Sequence, residues 1–250
     1  MQQAPLAPPP SLEDLQSEAL LSVFLDFDGT LLEIAPTHDS IEVPESLPRA
    51  LEALSASLSG RFAIVSGRSL DDLASHLGTL EVTQSGSHGA ESRLANGERV
   101  GSEPPTLFRE VIADLEQLVA ATPGASLESK KHGAAIHFRA RPEIEDEIAT
   151  AASAIAEKHQ LATKRGKCVV ELLADSASKA DAVRALMARA PFAGSRPVFL
   201  GDDLTDEDGF SAVKEFGGSG IQVGGSRKTE ACYRLASPRD VRRWLGLGIE

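Results

Sequence analysis

The chain has 250 residues, of which 42% are hydrophobic, and a formal net charge of −12 at pH 7. That is enough apolar material for one large domain or two modest ones, and the negative field repels a nucleic-acid backbone or an anionic membrane surface. No window reaches the roughly 18 consecutive apolar residues of a membrane span, so a soluble, cytoplasmic protein with no nucleic-acid or membrane partner is expected, and no obligate protein partner is evident.

Met1 to Pro10 has no basic residue and no apolar run of signal-peptide length, and reads as a disordered tail. Cys168 and Cys232 lack metal-ligand spacing and read as two buried thiols in a reducing compartment. Ser11 to Ala19 suits a short entry helix. The apolar run Leu20 to Leu25 then suits a strand buried on both faces. It closes on Asp26-Phe27-Asp28-Gly29-Thr30. In an open parallel sheet the ligand crevice lies beyond the carboxyl ends of the strands. Two carboxylates there, two residues apart, can divide two tasks, Asp26 attacking and Asp28 moving protons. The plain alternative is a turn whose acids bond backbone N–H groups.

Leu47, Leu51, Leu54 and Leu58 recur at helical spacing, and Gly60 ends that helix. Phe62 to Val65 forms a second buried strand, closing on Ser66-Gly67-Arg68. Ser69 with Asp72 three residues later reads as a capping box for the next helix. Strand, polar turn and helix are thus repeated, which is the pattern of a doubly wound α/β sheet. Ser66 falls at the same sheet edge as Asp26, where its hydroxyl suits a phosphate oxygen or serves merely as a turn residue. Val82 to Gly89 reads as a third strand that ends in a glycine-bracketed loop around His88.

From about Pro104 the order becomes helix, hairpin, helix, hairpin. The helices carry Leu107, Val111, Leu115 and Leu118, then Ile144, Ile148, Ala152 and Ile155. The strand segments are Ser126 to Lys130, Ala134 to Arg139, Leu161 to Lys164 and Cys168 to Leu172. Tightly joined strands must be antiparallel, so this segment is a small inserted α+β domain and a candidate lid. The domain limits read as 1–104 for the first part of the core, 105–174 for the insert and 175–250 for the second part. Glu128, Lys130, His137, Arg139, Lys167 and Glu171 mix donors and acceptors, which suits either a solvated sheet face or a polyhydroxylated ligand.

Lys179, in the first turn of the next helix, opposes the helix dipole and so suits a shared anion, or plain exposure. Pro197 to Leu200 reads as a buried strand ending in the acidic cluster Gly201 to Asp208, where Thr205 and Asp208 resemble a capping box. Asp202 and Asp203 are left over. With Asp26 they supply the oxygen-only ligands that Mg²⁺ prefers, and a cation would reconcile so many acids with a phosphorylated substrate. Ile221 to Gly224 reads as a last strand and Pro238 to Leu245 as a closing helix.

Asp26-x-Asp28-Gly-Thr-Leu, Ser66-Gly-Arg, Lys179 and Gly201-Asp-Asp-x-x-Asp206, in that order, resemble the four motifs of haloacid dehalogenase-like phosphatases. Gly86-Ser-His-Gly-Ala-Glu91, Glu128-x-Lys130, His137-Phe-Arg139 and Gly166-Lys-x-x-x-Glu171-Leu narrow the resemblance to the trehalose-6-phosphate phosphatases. It implies a Rossmann-like core with an inserted cap, and Mg²⁺-dependent hydrolysis of a phosphorylated disaccharide through an aspartyl-phosphate. Asp26 is then the nucleophile and Asp28 the acid and base. Thr30, Ser66 and Lys179 bind the phosphoryl group, while Arg68, His88, Glu128, Lys130, Arg139 and Glu171 bind the rest of the substrate. Asp26, the backbone carbonyl of Asp28 and Asp202 hold the metal, supported by Asp203 or Asp206. The alternatives are a phosphatase for sucrose 6-phosphate or a mannosyl phosphate, and a non-catalytic phosphosugar sensor.

Overall fold

A computed structural model describes residues 6–35, 41–101, 107–130, 132–166, 168–173 and 177–249. It divides into two compact units, Met1–Ser102 with Ser178–Glu250, and Glu103–Ala177. The expected domain limits at 104 and 174, Lys167 and the first five residues of the expected tail lie outside the described residues.

In the first unit the chain runs through α1 (Leu12–Glu18), β1 (Leu21–Leu25), α2 (Leu47–Ser57), β2 (Phe62–Val65), α3 (Leu70–Leu77), β3 (Thr83–Gly86), β4 (Glu91–Arg93) and β5 (Arg99–Val100). The second unit holds α4 (Arg109–Ala121), β6 (Ser126–Lys130), β7 (Gly133–His137), α5 (Glu145–His159), β8 (Ala162–Gly166) and β9 (Val169–Leu173). The chain then returns to the first unit with α6 (Lys179–Met187), β10 (Arg196–Gly201), α7 (Asp206–Glu215), β11 (Ser219–Val223), β12 (Tyr233–Leu235) and α8 (Pro238–Trp244).

The first unit is built on one sheet of order β12-β11-β10-β1-β2-β3-β4-β5, parallel from β12 to β3 and antiparallel beyond. Alternate strand residues serve opposite faces because successive side chains point oppositely. Val23, Leu25, Phe62, Ile64, Val198 and Leu200 join the leucines of α2 and α3 and Val241 of α8 in one cluster. Phe24, Ala63, Val65 and Phe199 join Val183 and Leu186 of α6 and Phe210 and Val213 of α7 in another. Both faces are covered, which is why these strands read as unbroken apolar runs. From the centre of the sheet the chain winds outward through β2 and β3 on one side, and through β10, β11 and β12 on the other. The ends of β1 and β10 therefore flank the topological switch point where α/β sheets bind ligands.

Several expectations are corrected. The third strand stops at Gly86 and continues as a single helical turn, Ser87–Gly89, in which His88 has a φ of 57°. The edge hairpin β4–β5 and the three-residue β12 were not expected; they are short and largely polar, so no apolar period marks them. Residues 6–10 are not a loose tail. Leu6 packs on the core, the Ala7 carbonyl accepts from the Arg234 N–H at 3.0 Å, and the Pro10 carbonyl accepts from Trp244 Nε1 at 2.8 Å. Cys168 is half-buried and Cys232 exposed, so neither is the buried thiol expected.

In the second unit the two expected hairpins form one antiparallel sheet of order β6-β7-β9-β8, because β7 pairs with β9. Leu127, Ala134, Ile136, Val170 and Leu172 share one face and pack on Val111 and Leu115 of α4 and Ile148 and Ala152 of α5. The opposite face carries Glu128, Lys130, His137, Lys164 and Glu171. Among the described residues no helix is long and apolar enough to cross a membrane.

Phe199 of β10 is fully buried, edge-on to Phe210 with ring centroids 5.8 Å apart. Phe199→Ala is expected to destabilise the first unit by about 3–5 kcal/mol, read as a lowered urea midpoint with the slope preserved.

Candidate active site

The site assembles where β1 and β10 end. The Asp26 N–H donates to the Leu200 carbonyl at 3.0 Å, locking the two strand ends together. Asp26 then turns into the crevice at 4% exposure. Glycine is required twice here. Gly29 has a φ of +82°, and a Cβ on it would lie 2.3 Å from Asp202 Oδ2; a Cβ on Gly201 would lie 2.2 Å from Asp206 Cγ. Any side chain at either position would displace a carboxylate.

Lys179 opens α6, whose N-terminus is closed by a full capping box between Ser178 and Asp181. Its ammonium is 3% exposed and donates to Asp26 Oδ1 and to Asp206 Oδ1, both at 2.6 Å. Two protein carboxylates thus face this lysine. Asp206 has no exposure and its other oxygen accepts from the Asp203 N–H at 2.9 Å. That bond replaces the expected Thr205–Asp208 capping box: Thr205 has helical backbone angles and no side-chain capping bond. Asp203 turns its Oδ1 to the Leu204 N–H instead.

Asp26, Asp202 and Asp206 each offer a carboxylate oxygen, all within 4.8 Å of one another. With one ammonium among three carboxylates, full ionisation would leave a net charge of −2 in a buried space. Burial raises the Asp26 carboxyl well above its ordinary value, Asp206 and Asp202 add to this, and Lys179 opposes it. Asp202 is pushed up to about 7, by burial first and then by Asp206, against the pull of Lys179. For Lys179 itself burial works against the charge, but Asp206 and Asp26 overcome it and hold the pKa above that of an ordinary lysine. The donor set is oxygen only, compact and short of two positive charges, and a hard divalent cation fits it.

The chain has known relatives. The trehalose-phosphatase family model matches residues 24–239. A trehalose-6-phosphate phosphatase from Escherichia coli is 40% identical over 94% of this chain and 89% of that protein. A probable trehalose-phosphate phosphatase from Sinorhizobium fredii is 38% identical over 84% and 79% respectively. The chain belongs to the trehalose-phosphatase family. The solved C-terminal domain of the Candida albicans trehalose-6-phosphate phosphatase superposes with a TM-score of 0.82 at 26% identity, covering 98% of both chains.

In this trehalose-phosphatase family member the remaining predicted residues have specific neighbours. Thr30 is fully buried and its hydroxyl donates to Asp202 Oδ1 at 3.2 Å. Ser66 is fully buried, with its Oγ accepting from the Arg68 N–H at 3.1 Å. Arg68, expected on the substrate, lays its guanidinium against Asp28. His88 is 5% exposed; its N–H donates to the Ser66 carbonyl, and its ring lies where a Cβ on Gly67 would be, 2.7 Å away. It packs under the Ser66 turn.

In the second unit Lys130 Nζ donates to Glu171 Oε1 at 2.7 Å and lies 3.9 Å from Glu128, whose other oxygen is 2.7 Å from His137 Nε2. Between them Ala135 is the cross-strand partner of both Glu128 and Glu171, and its single methyl leaves the polar groups standing around a low floor. Arg139 lies beyond β7 in an exposed turn and does not share that row.

The raised Asp202 carboxyl sets a pH dependence. Stability from its protonated form is complete below the ordinary 3.8 and is lost as pH rises through about 7. Metal-free protein should therefore melt lower at about pH 8 than at about pH 5, and Asp202→Asn should flatten this part of the profile in thermal scans with chelator present.

Proposed function

We propose that the protein hydrolyses trehalose 6-phosphate to trehalose and phosphate, with Mg²⁺ bound and with a phosphoryl group carried on Asp26. The observation that supports this most is the buried Lys179–Asp26–Asp206 bridge beside Asp202. It presents a carboxylate at a switch-point strand end, in surroundings where one ammonium faces three carboxylates. Packing alone would not collect three acids there, since burying unbalanced carboxylates costs stability.

The roles follow from the placement of the side chains. Lys179 holds Asp26 Oδ1, which restricts the carboxylate to one orientation for in-line attack on phosphorus. As the Asp26 oxygen bonds to phosphorus the ester P–O bond breaks, and Asp28 delivers a proton to the departing sugar oxygen. Asp28 then takes a proton from water, whose oxygen attacks phosphorus; the bond to Asp26 breaks, phosphate leaves and the carboxylate is restored. Asp26, Asp202 and Asp206, with the Asp28 backbone carbonyl, would hold Mg²⁺. When bound, it neutralises charge on the carboxylates and on the phosphate. The polar face of the second unit, with Glu128, Lys130 and Glu171, offers donors and acceptors suited to sugar hydroxyls. The names of the relatives point to the same substrate.

Phosphate release from a panel of sugar phosphates, with Mg²⁺ and with chelator, tests the reading. Trehalose 6-phosphate should be turned over in preference to sucrose 6-phosphate and mannosyl phosphates, and chelation should stop release. A flat profile would leave only a general sugar-phosphate phosphatase. Asp26→Asn should lower turnover by about three orders of magnitude or more; near-normal release by that variant would exclude Asp26 as the nucleophile.

A further inference from the structure

The Ser69-x-x-Asp72 pattern that opens α3 does more than cap a helix. Ser69 Oγ accepts from the Asp72 N–H at 3.1 Å, as an N-cap should. The Asp72 carboxylate, however, turns back past the cap and accepts from Arg68 Nη1 at 2.6 Å. His76, one helical turn further on, brings its Nε2 to 3.1 Å from the same Nη1. Arg68 then presents its other edge to Asp28, with Nε on Oδ2 at 2.6 Å and Nη2 on Oδ1 at 2.9 Å. The Phe27 ring lies 5.7 Å from the guanidinium carbon and completes the enclosure.

The guanidinium is the most buried link of this chain, flanked by a more exposed Asp72 and Asp28. The Arg68 side chain is 3% exposed and Asp28 is 37% exposed. A carboxylate that accessible has no packing to hold it, and two parallel N–H···O bonds from a planar guanidinium fix both its position and its plane. Arginine can do this only if its own flexible stem is fixed. Asp72 and His76, four residues apart on one helix face, hold it from behind.

We propose that Asp72, backed by His76, is a positioning residue for the reaction: through Arg68 it sets the direction in which the Asp28 carboxylate faces. The proposal rests on the reading of Asp28 as the group that moves protons. It reassigns Arg68 from the substrate to the machinery that orients Asp28. It also extends the functional apparatus to α3.

The test compares Asp72→Ala, Asp72→Asn and Asp28→Asn with the unaltered full chain, measuring kcat and KM for trehalose 6-phosphate with Mg²⁺. Rates for p-nitrophenyl phosphate, whose leaving group departs without a proton, are measured alongside. Asp72→Ala should lower kcat for the sugar phosphate by about 10- to 100-fold, with KM within about three-fold, since misplacing one reacting group has costs of this order. The loss on the aryl phosphate should be about ten-fold smaller, because leaving-group protonation matters little there. Asp72→Asn, which keeps an acceptor oxygen for Arg68, should recover part of the rate. Unaltered kcat, a change confined to KM, or equal losses on both substrates would overturn the proposal. If Asp28→Asn itself keeps normal kcat, the reading of Asp28 fails first; if it collapses while Asp72→Ala does not, only the brace is refuted. Should Asp72→Ala fail to fold, His76→Ala carries the same comparison, with a smaller split in the same direction expected.

Discussion

A single buried ammonium organises the first unit. Lys179 lies between Asp26 and Asp206, 2.6 Å from each, with almost no solvent to share the charge. The lysine keeps its charge against burial because these two carboxylates face it. The bridge draws together the end of β1, the start of α6 and the start of α7, elements that are far apart in sequence. Asp202 lies beside it, so that three carboxylates share one ammonium.

The backbone yields space to this charge cluster. Gly29 and Gly201 sit directly against Asp202 and Asp206, so the acids approach the sheet edge more closely than any side chain would permit. Behind them the strands are buried on both faces, which ties the positions of Asp26 and Asp202 to a close-packed core. A crevice that must hold reacting groups within fractions of an ångström benefits from that stiffness. Flexible-looking polar residues are fastened as well: Thr30 holds Asp202, Ser66 receives the Arg68 N–H, and His88 packs under Gly67.

The second unit applies a different principle. Its apolar face is covered by α4 and α5, and its polar face pairs acids with cations so that each is partly neutralised. Such pairs keep donors and acceptors pre-arranged without burying a net charge, which suits neutral hydroxyl groups better than a phosphate. The two units thus differ in their electrostatics: a buried, unbalanced acidic cluster in one and paired charges on a sheet face in the other.

What the chain determines locally could be read from it directly. Apolar runs gave β1, β2 and β10, leucine spacing gave α2, and the acids at the strand ends marked the place where the carboxylates cluster, because burial and period are properties of neighbouring residues. What depended on distant partners could not be read. Thr205 and Asp208 look like a capping box until Asp206 is seen to bond the Asp203 N–H and Lys179. Ser69 and Asp72 look like a cap alone until Arg68 is found between Asp72 and Asp28. The pairing of β7 with β9, which merges two hairpins into one sheet, likewise has no local signal. A carboxylate's role follows from which charge faces it, and only the tertiary structure decides that, since residues up to 172 positions apart along the chain bond to one another there.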